Sequence, residues 1–416
     1  MPSRPSKGAG PSWAARRRPD QVPEAERQGK GRTVIDFREA RLRSNPCFRL
    51  VPFDRLAPSD LDAFRSLSED PDFFGILVPP EGSVAPVKSV SRDAALLYLS
   101  LRKPACLPHL LENLFGGDVG ERVRTLILDG VFEIEQSGNF VSGAAALAPF
   151  TYSETAEPTS LLAQLCEDAI RYAAALELLP VHDLALRLYL FNTAPGEPAM
   201  HRRFCDDDRL LGFVLADDAI ARLLRSRWRR ETIGDSWLAW NGEASARAPE
   251  YKLYVSPTLD HMPAVFELAV DAFAKAQCTH FKLGRGAFGL LRPDKLVAYF
   301  SDLDSLQQAA ELIGRSAAGA VAQGVPFTAP IDSDGLLSWG MDPPRFEQVL
   351  QSQQLQSWRQ WLTGRIAVYV LAGREAGTNV HSFIRNRIEL DGVDPVSWTP
   401  NLAIWRGPVG TEQGAA

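Results

Sequence analysis

The stretch Tyr251-Lys252-Leu253-Tyr254-Val255-Ser256-Pro257 decides the fold. Its side chains alternate with period two. A strand there puts Lys252, Tyr254 and Ser256 on one face and Leu253 and Val255 in the core. Pro257 ends it. Met262 to Ala274 then repeats apolar residues at helical spacing, with Val265, Leu268, Ala269 and Ala272 as the buried set. His280-Phe281-Lys282 is a second short strand, with His280 and Lys282 facing one way and Phe281 the other. Gly284, Gly286 and Gly289 mark a mobile loop. That loop lacks the spacing of a phosphate-binding P-loop, and no Lys-Ser/Thr pair follows it. Leu296 to Phe300 is a third strand and Ser305 to Ile313 a helix. The order predicts an α+β fold, with a small mixed sheet and flanking helices in the C-terminal half.

Basic residues recur at the ends of these short strands: Lys252, Lys282, Arg292 and Lys295, with few carboxylates among them. A site for a doubly charged phosphate needs such a set. Solvated strand ends would look the same, and Arg292 before Pro293 can simply lay its stem over the core.

Outward from this centre, composition bounds the rest. The 416 residues are 45 % hydrophobic and 23 % charged, as in an ordinary globular protein of two or three domains. No apolar run is long enough for a membrane span, and the N-terminus has no secretory h-region. Five scattered cysteines form no C-x-x-C pair, which argues against a disulfide framework or a zinc site. A cytoplasmic location is expected. Residues 1–44 hold eleven lysines and arginines against five acidic residues; the net charge of −6 therefore leaves −12 on the remainder. An acidic body disfavours general nucleic-acid binding.

Residues 1–44 are a disordered basic segment, although Thr33 to Arg43 has the pattern of a short helix. Residues 45–150 are helical and winged-helix-like. Leu56 to Leu67 is a helix there and Asp70 to Ser83 a loop. Ser91 caps a helix with Ala94, Leu97 and Tyr98 inward. Two further helices lie near Leu107–Phe115 and Val119–Leu128, and a hairpin turns at Ser137-Gly138-Asn139. Such a unit binds DNA, docks a peptide or only packs. Residues 151–250 are a helical connecting region, with Asp183 as a cap, Asp206-Asp207-Asp208 as a solvated helix start, an arginine-rich helix from Asp217 to Arg230 and a strand at Trp237–Trp240. Residues 251–406 form the core. After Met341 it contains a helix from Arg345 to Leu362, a buried strand from Ile366 to Leu371, and Arg385 and Arg387 on solvated helix positions or as distant phosphate ligands. Residues 407–416 are a frayed tail.

The order Tyr-Lys-x-Tyr-Val-Ser-Pro, a helix, Phe281-Lys282, Arg292-x-Asp294, the strand to Tyr299 and Pro326-Phe327-Thr328 resembles a phospholyase family. It is similar to the phosphothreonine lyase effectors of bacterial pathogens, and closer to the lyase parts of class III and class V lanthipeptide synthetases. The match covers roughly Tyr251 to Met341. The resemblance implies β-elimination of phosphate from phosphoserine or phosphothreonine in a precursor peptide, with no cofactor. It implies Lys282 as the base on Cα, Lys252 as a phosphate ligand, and Arg292 as a clamp with Lys295 close behind. Where the effectors carry a histidine acid two residues after the first lysine, this chain has Tyr254. Tyr254 or His280 is then the acid, or catalysis is lost.

The residue types suit that chemistry. A base on a weakly acidic Cα–H must be a neutral amine, so a lysine needs a pKa well below about 10.4. Burial and neighbouring cations supply that, and the same cations hold the departing anion. With neither a Walker A motif nor kinase signatures in the chain, a kinase would be a separate subunit. The rival readings are a non-catalytic subunit that presents the peptide to another enzyme, and a winged-helix regulator, which the acidic body disfavours.

Overall fold

The computed structural model describes residues 39–57, 61, 64, 67–68, 70–82, 87–108, 119–150, 160–177, 179–242, 249–343 and 356–405. The basic leader up to residue 38, most of the helices expected at Leu56–Leu67 and Leu107–Phe115, the first part of the helix expected from Arg345 and the terminal tail lie outside these residues.

Among the described residues the first elements are β1 (Leu42–Ser44), β2 (Arg49–Pro52), β3 (Phe73–Val78), β4 (Lys88–Ser91), α1 (Arg92–Ser100), α2 (Val119–Leu128), β5 (Phe132–Gln136) and β6 (Asn139–Val141). Two small antiparallel sheets result, β1-β5-β6 and β2-β3-β4. Ser91 caps α1 by accepting a bond from the Ala94 N–H, as its sequence position predicts. The helix expected to end at Arg43 is instead β1 in its described part. Leu42 and Ser44 point inward while Arg41 and Arg43 reach across to Glu135 and Glu133. The loop expected from Asp70 contains β3. Glycine there marks a close approach rather than a turn, because a Cβ on Gly75 would stand 2.2 Å from the Val51 carbonyl oxygen.

The middle supplies α3 (Leu161–Ala175), α4 (Val181–Tyr189), α5 (Pro198–Arg203), α6 (Asp207–Val214), α7 (Asp218–Arg227), β7 (Arg229–Ile233) and β8 (Trp237–Asn241). Asp206 caps α6 through the Arg209 N–H at 2.8 Å. Asp183 lies in the first turn of α4, and Pro180 occupies the cap position. The rest is β9 (Tyr251–Val255), α8 (Met262–Lys275), β10 (His280–Gly284), α9 (Gly286–Leu291), β11 (Leu296–Phe300), α10 (Leu303–Ser316), β12 (Ala329–Pro330), β13 (Leu337–Met341), α11 (Trp358–Glu375), α12 (Val380–Leu390) and α13 (Leu402–Trp405).

The fold is α+β. Its main sheet has seven strands in the order β12-β13-β9-β11-β10-β8-β7, every pair antiparallel, so it is larger than expected and not mixed. It also takes two strands, β7 and β8, from the stretch read as a connector. One face carries Leu253, Val255, Phe281, Leu283, Ala298 and Phe300, each no more than 1 % exposed. Phe281 meets Phe273 of α8 with ring centroids 5.2 Å apart, and α10 packs beside α8 on the same side. Each of these large side chains contributes roughly 1.5–3 kcal/mol by leaving water.

Three further expectations change. Gly284 and Gly289 belong to β10 and α9 and touch backbone to backbone: a Cβ on Gly284 would lie 2.2 Å from the Gly289 oxygen. The apolar run Ile366 to Leu371 lies within α11, where Leu362, Ile366, Ala367 and Val370 recur at helical spacing and are buried. Arg385 and Arg387 are neither solvated nor phosphate-facing. They pair with Glu167 and Asp129, and tie α12 to α3 and to the end of α2.

Candidate functional site

The opposite face of the main sheet is polar. In an antiparallel pair, residues directly opposite share a face. The register therefore aligns two rows. One runs Gly340, Lys252, Tyr299, His280, Asn241, Arg229; the next runs Ser338, Tyr254, Val297, Lys282, Ala239, Glu231. Period-two alternation in β9 and β10 thus places Lys252, Tyr254, His280 and Lys282 on one surface.

Cations and aromatic rings interleave across it. Lys252 Nζ is 5.3 Å and Lys282 Nζ 5.6 Å from the Tyr299 ring centroid. Lys282 Nζ is also 4.1 Å from the Trp237 centroid, and Arg292 Cζ is 4.7 Å from the same ring. Arg292 and Arg359 in turn flank Tyr189 at 5.3 and 4.6 Å. Electron-rich ring faces let like charges crowd together in this way.

Two carboxylates hold the set in place. Lys252, 5 % exposed, pairs with Asp342. Arg292 binds Asp294 with two bonds of 2.9 and 2.8 Å, and Arg359 approaches the same carboxylate at 2.9 Å. The Tyr189 hydroxyl donates to Asp294 at 2.9 Å and accepts from Arg292 at 3.0 Å. Burial alone would favour a neutral Asp294, but the Arg359 and Arg292 guanidiniums hold it well below the usual carboxylate range. Among the described residues no carboxylate pairs with Lys282. Four cations against two carboxylates leave a surplus of positive charge.

Burial, then the charge of Lys252, lowers the Lys282 pKa to about 8; Arg292 adds to the effect, and Asp294 and Asp342 oppose it. Burial and the two lysines lower His280 to about 4, and its ring stacks on Tyr299 at 4.0 Å. Tyr254 is 3 % exposed, and burial raises its pKa well above the ordinary value. Lys295 is fully buried. Its amine donates to the Pro257 carbonyl at 2.8 Å and to Gln323, and burial lowers it to about 7. Those bonds give it a structural post beside the β9 end, whereas Lys252, Lys282 and Arg292 stand together. An open hollow of about 480 Å³ beside Tyr172, Leu186 and Phe191 holds none of the four cations.

Sequence reasoning left out Trp237, Tyr189, Asp342 and Arg359. Arg359 had a readable signal: a basic residue between two tryptophans on a buried helix face. Trp237, Tyr189 and Asp342 reach the site from distant segments and had none.

No protein-family model matches the chain, and no curated protein matches it. Solved structures do. An effector protein from Pseudomonas syringae pv. tomato strain DC3000 matches at 12 % identity and TM-score 0.38, over 57 % of this chain and 97 % of that one. The type III effector and phosphothreonine lyase OspF from Shigella flexneri matches at 10 % identity and TM-score 0.26, over 36 % and 87 %. The phosphothreonine lyase SpvC, an effector from Salmonella, matches at 12 % and 0.23, over 49 % and 97 %. At these scores the likenesses carry no part of the functional reading, which rests on the residues above.

Proposed function

We propose that this chain is a phospholyase that eliminates phosphate from phosphoserine or phosphothreonine in a peptide, leaving a dehydroamino acid. The substrate would be a precursor peptide in lanthipeptide-type biosynthesis, phosphorylated by a separate kinase. The observation that carries the reading is Lys282: an amine with no carboxylate partner among the described residues, lowered to about 8, between Lys252 and Arg292.

The phosphate, close to a dianion at neutral pH, meets Lys252 and Arg292. Lys282 Nζ in its neutral form takes the Cα proton. The released electron pair forms the Cα–Cβ double bond, and the Cβ–O bond breaks with its electrons going to phosphate. Lys252 and Arg292 stabilise that charge where it develops. Burial first, and then the charges of Lys282 and Lys252, lower His280; a bound phosphate offsets the lysine part, so substrate raises its proton affinity. Tyr254 keeps its proton and donates a hydrogen bond toward the leaving oxygen.

A second reading is a subunit that binds and presents the peptide without turning it over. Tyr254 favours it, because a deeply buried phenol holds its proton too tightly for a strong acid. The test is mass spectrometry of a phosphothreonine peptide incubated with purified protein. Loss of phosphoric acid that disappears in Lys282→Ala supports the lyase. Binding with the phosphopeptide left intact supports the presenting subunit.

A further inference from the structure

The site face closes on one side and opens on the other. In the row through Lys252, Gly340 and Lys252 are buried, Tyr299, His280 and Asn241 are half-buried, and Arg229 is exposed. Trp358 of α11 seals the closed end, since a Cβ on Gly340 would meet its ring at 2.6 Å. At the open end Arg229 pairs with Glu231 at 2.7 Å, and Arg230 lies opposite Trp240 on the core face. Toward β7 the free positive charge of the face therefore stops at Lys282 and Arg292, and both meet the ring of Trp237.

Within this set Lys282 is held differently from its neighbours. Lys252 has Asp342, and Arg292 has two bonds to Asp294 and one to Tyr189. Among the described residues the Lys282 amine has neither a carboxylate nor a hydrogen-bond acceptor. Its partners there are ring faces, Trp237 at 4.1 Å and Tyr299 at 5.6 Å. Trp237 is the nearer, and the fold fixes it. The β8 register sets Trp237 opposite Gly284, on the same face as Ala239, which pairs with Lys282. The ring packs against Tyr254, Val297 and Val325. The turn before it is tied down: the Ser236 carbonyl accepts from the Arg285 N–H at 2.9 Å, and the Arg285 guanidinium pairs with Asp207 at 2.7 Å.

We infer that Trp237 is a positioning residue for the proposed reaction, its ring face holding the Lys282 amine where the Cα proton is taken. The inference rests on the phospholyase reading for what that amine does. In the resting site the ring holds the charged amine in place against Lys252 and Arg292, whose repulsion pushes it toward the open side. As the neutral amine accepts the proton, positive charge builds on Nζ, and the negative face of the ring meets it. A ring face favours the protonated amine, so Trp237 opposes the lowering that burial and Lys252 impose. The other charged groups acting on Lys282 are Arg292, Asp294 and Asp342. His280 shares its strand and face, and Glu231, in its row on β7, is engaged by Arg229. A substitution at Trp237 alters none of these charges.

The experiment compares the unaltered protein with Trp237→Leu, which keeps an apolar wall and removes the ring face, and Trp237→Phe, which keeps a weaker one. One readout is the pH midpoint of Lys282 acylation by a small reagent, followed by peptide mass spectrometry. The other is kcat and KM for a phosphothreonine peptide across pH. In Trp237→Leu the midpoint should fall by about half to one pH unit, and kcat above the midpoint by about tenfold or more. KM should stay within about twofold, because carboxylates still hold Lys252 and Arg292. Trp237→Phe should lie between on both. A weakened fold lowers kcat without moving the midpoint. A midpoint unchanged or raised in Trp237→Leu therefore overturns the inference, as does an unchanged kcat or a raised KM at constant kcat. If Trp237→Leu fails to fold, Trp237→Phe decides alone: a smaller shift in the same direction is expected, and no shift refutes it. Should the unaltered protein leave the phosphopeptide intact while the midpoint still falls in Trp237→Leu, the hold of the ring on Lys282 stands and the lyase reading goes.

Discussion

Replacing Lys252 by methionine should raise the pKa of Lys282. Their ammonium groups lie 5.3 and 5.6 Å from one ring centroid, hence within about 11 Å of each other. At an effective dielectric near 20, unit charges about 8–11 Å apart repel by about 1.5–2 kcal/mol. That energy corresponds to roughly one pKa unit. Asp342, freed from Lys252, acts in the same direction. The Lys282 amine should then titrate near about 9 instead of about 8. Its neutral fraction at pH 7 falls from about a tenth to about a hundredth. The direct assay is the pH dependence of Lys282 acylation by a small reagent, read by peptide mass spectrometry. Elimination kinetics give a second view: the variant's deficit at pH 7 should exceed its deficit at pH 10 by about tenfold, because lost phosphate contact persists at both. A midpoint that stays put or falls would falsify the view that Lys252 tunes Lys282.

Other outcomes follow from the same contacts. Asp294→Asn strips the shared carboxylate from Arg292 and Arg359 and should cost about 3–5 kcal/mol in urea unfolding; a loss under about 1 kcal/mol would contradict the packing described. Asp129 is largely enclosed, its side chain 12 % exposed, yet Arg387 and Lys88 hold it down at about 2. Its pairing therefore stabilises fully above pH ~4 and is lost as pH falls from about 4 to about 2. Arg387→Met should flatten that part of the stability profile, and an unchanged acid limb would count against the pair. Gly289→Ala puts a methyl 2.4 Å from the Gly284 carbonyl carbon and should cost about 1–3 kcal/mol, seen as a lowered Tm. An unchanged Tm would mean that α9 shifts freely.

The sheet's centre was legible because period-two alternation survives in β9 and β10 even where both faces are buried. Lys252 and Lys282 could be put on one surface from that alternation alone. The edge strand β7 was hidden within a charged run read as the end of a helix: Arg229-Arg230-Glu231-Thr232-Ile233 has no inward apolar row, and among the described strands it pairs with β8 alone. The run Ile366 to Leu371 reads as a strand because six consecutive apolar residues fit a buried strand as well as a segment of a buried helix. The Gly284–Gly289 contact shows a general ambiguity. Glycine spacing reports either freedom or intimacy of backbones, and only a third dimension separates them. Asp342 and Tyr189 join the site through topology that local patterns do not encode.

The asymmetry of the site face carries a kinetic consequence for the proposed chemistry. Lys252, on β9, lies two strands farther than Lys282 from the β7 edge, and both Lys252 and Arg292 are more buried than Lys282, behind the position of the peptide chain in the proposed reaction. After elimination the anion is therefore trapped until the dehydrated peptide departs. Release is ordered, and inorganic phosphate should compete with the incoming phosphopeptide whereas the dehydrated product should not.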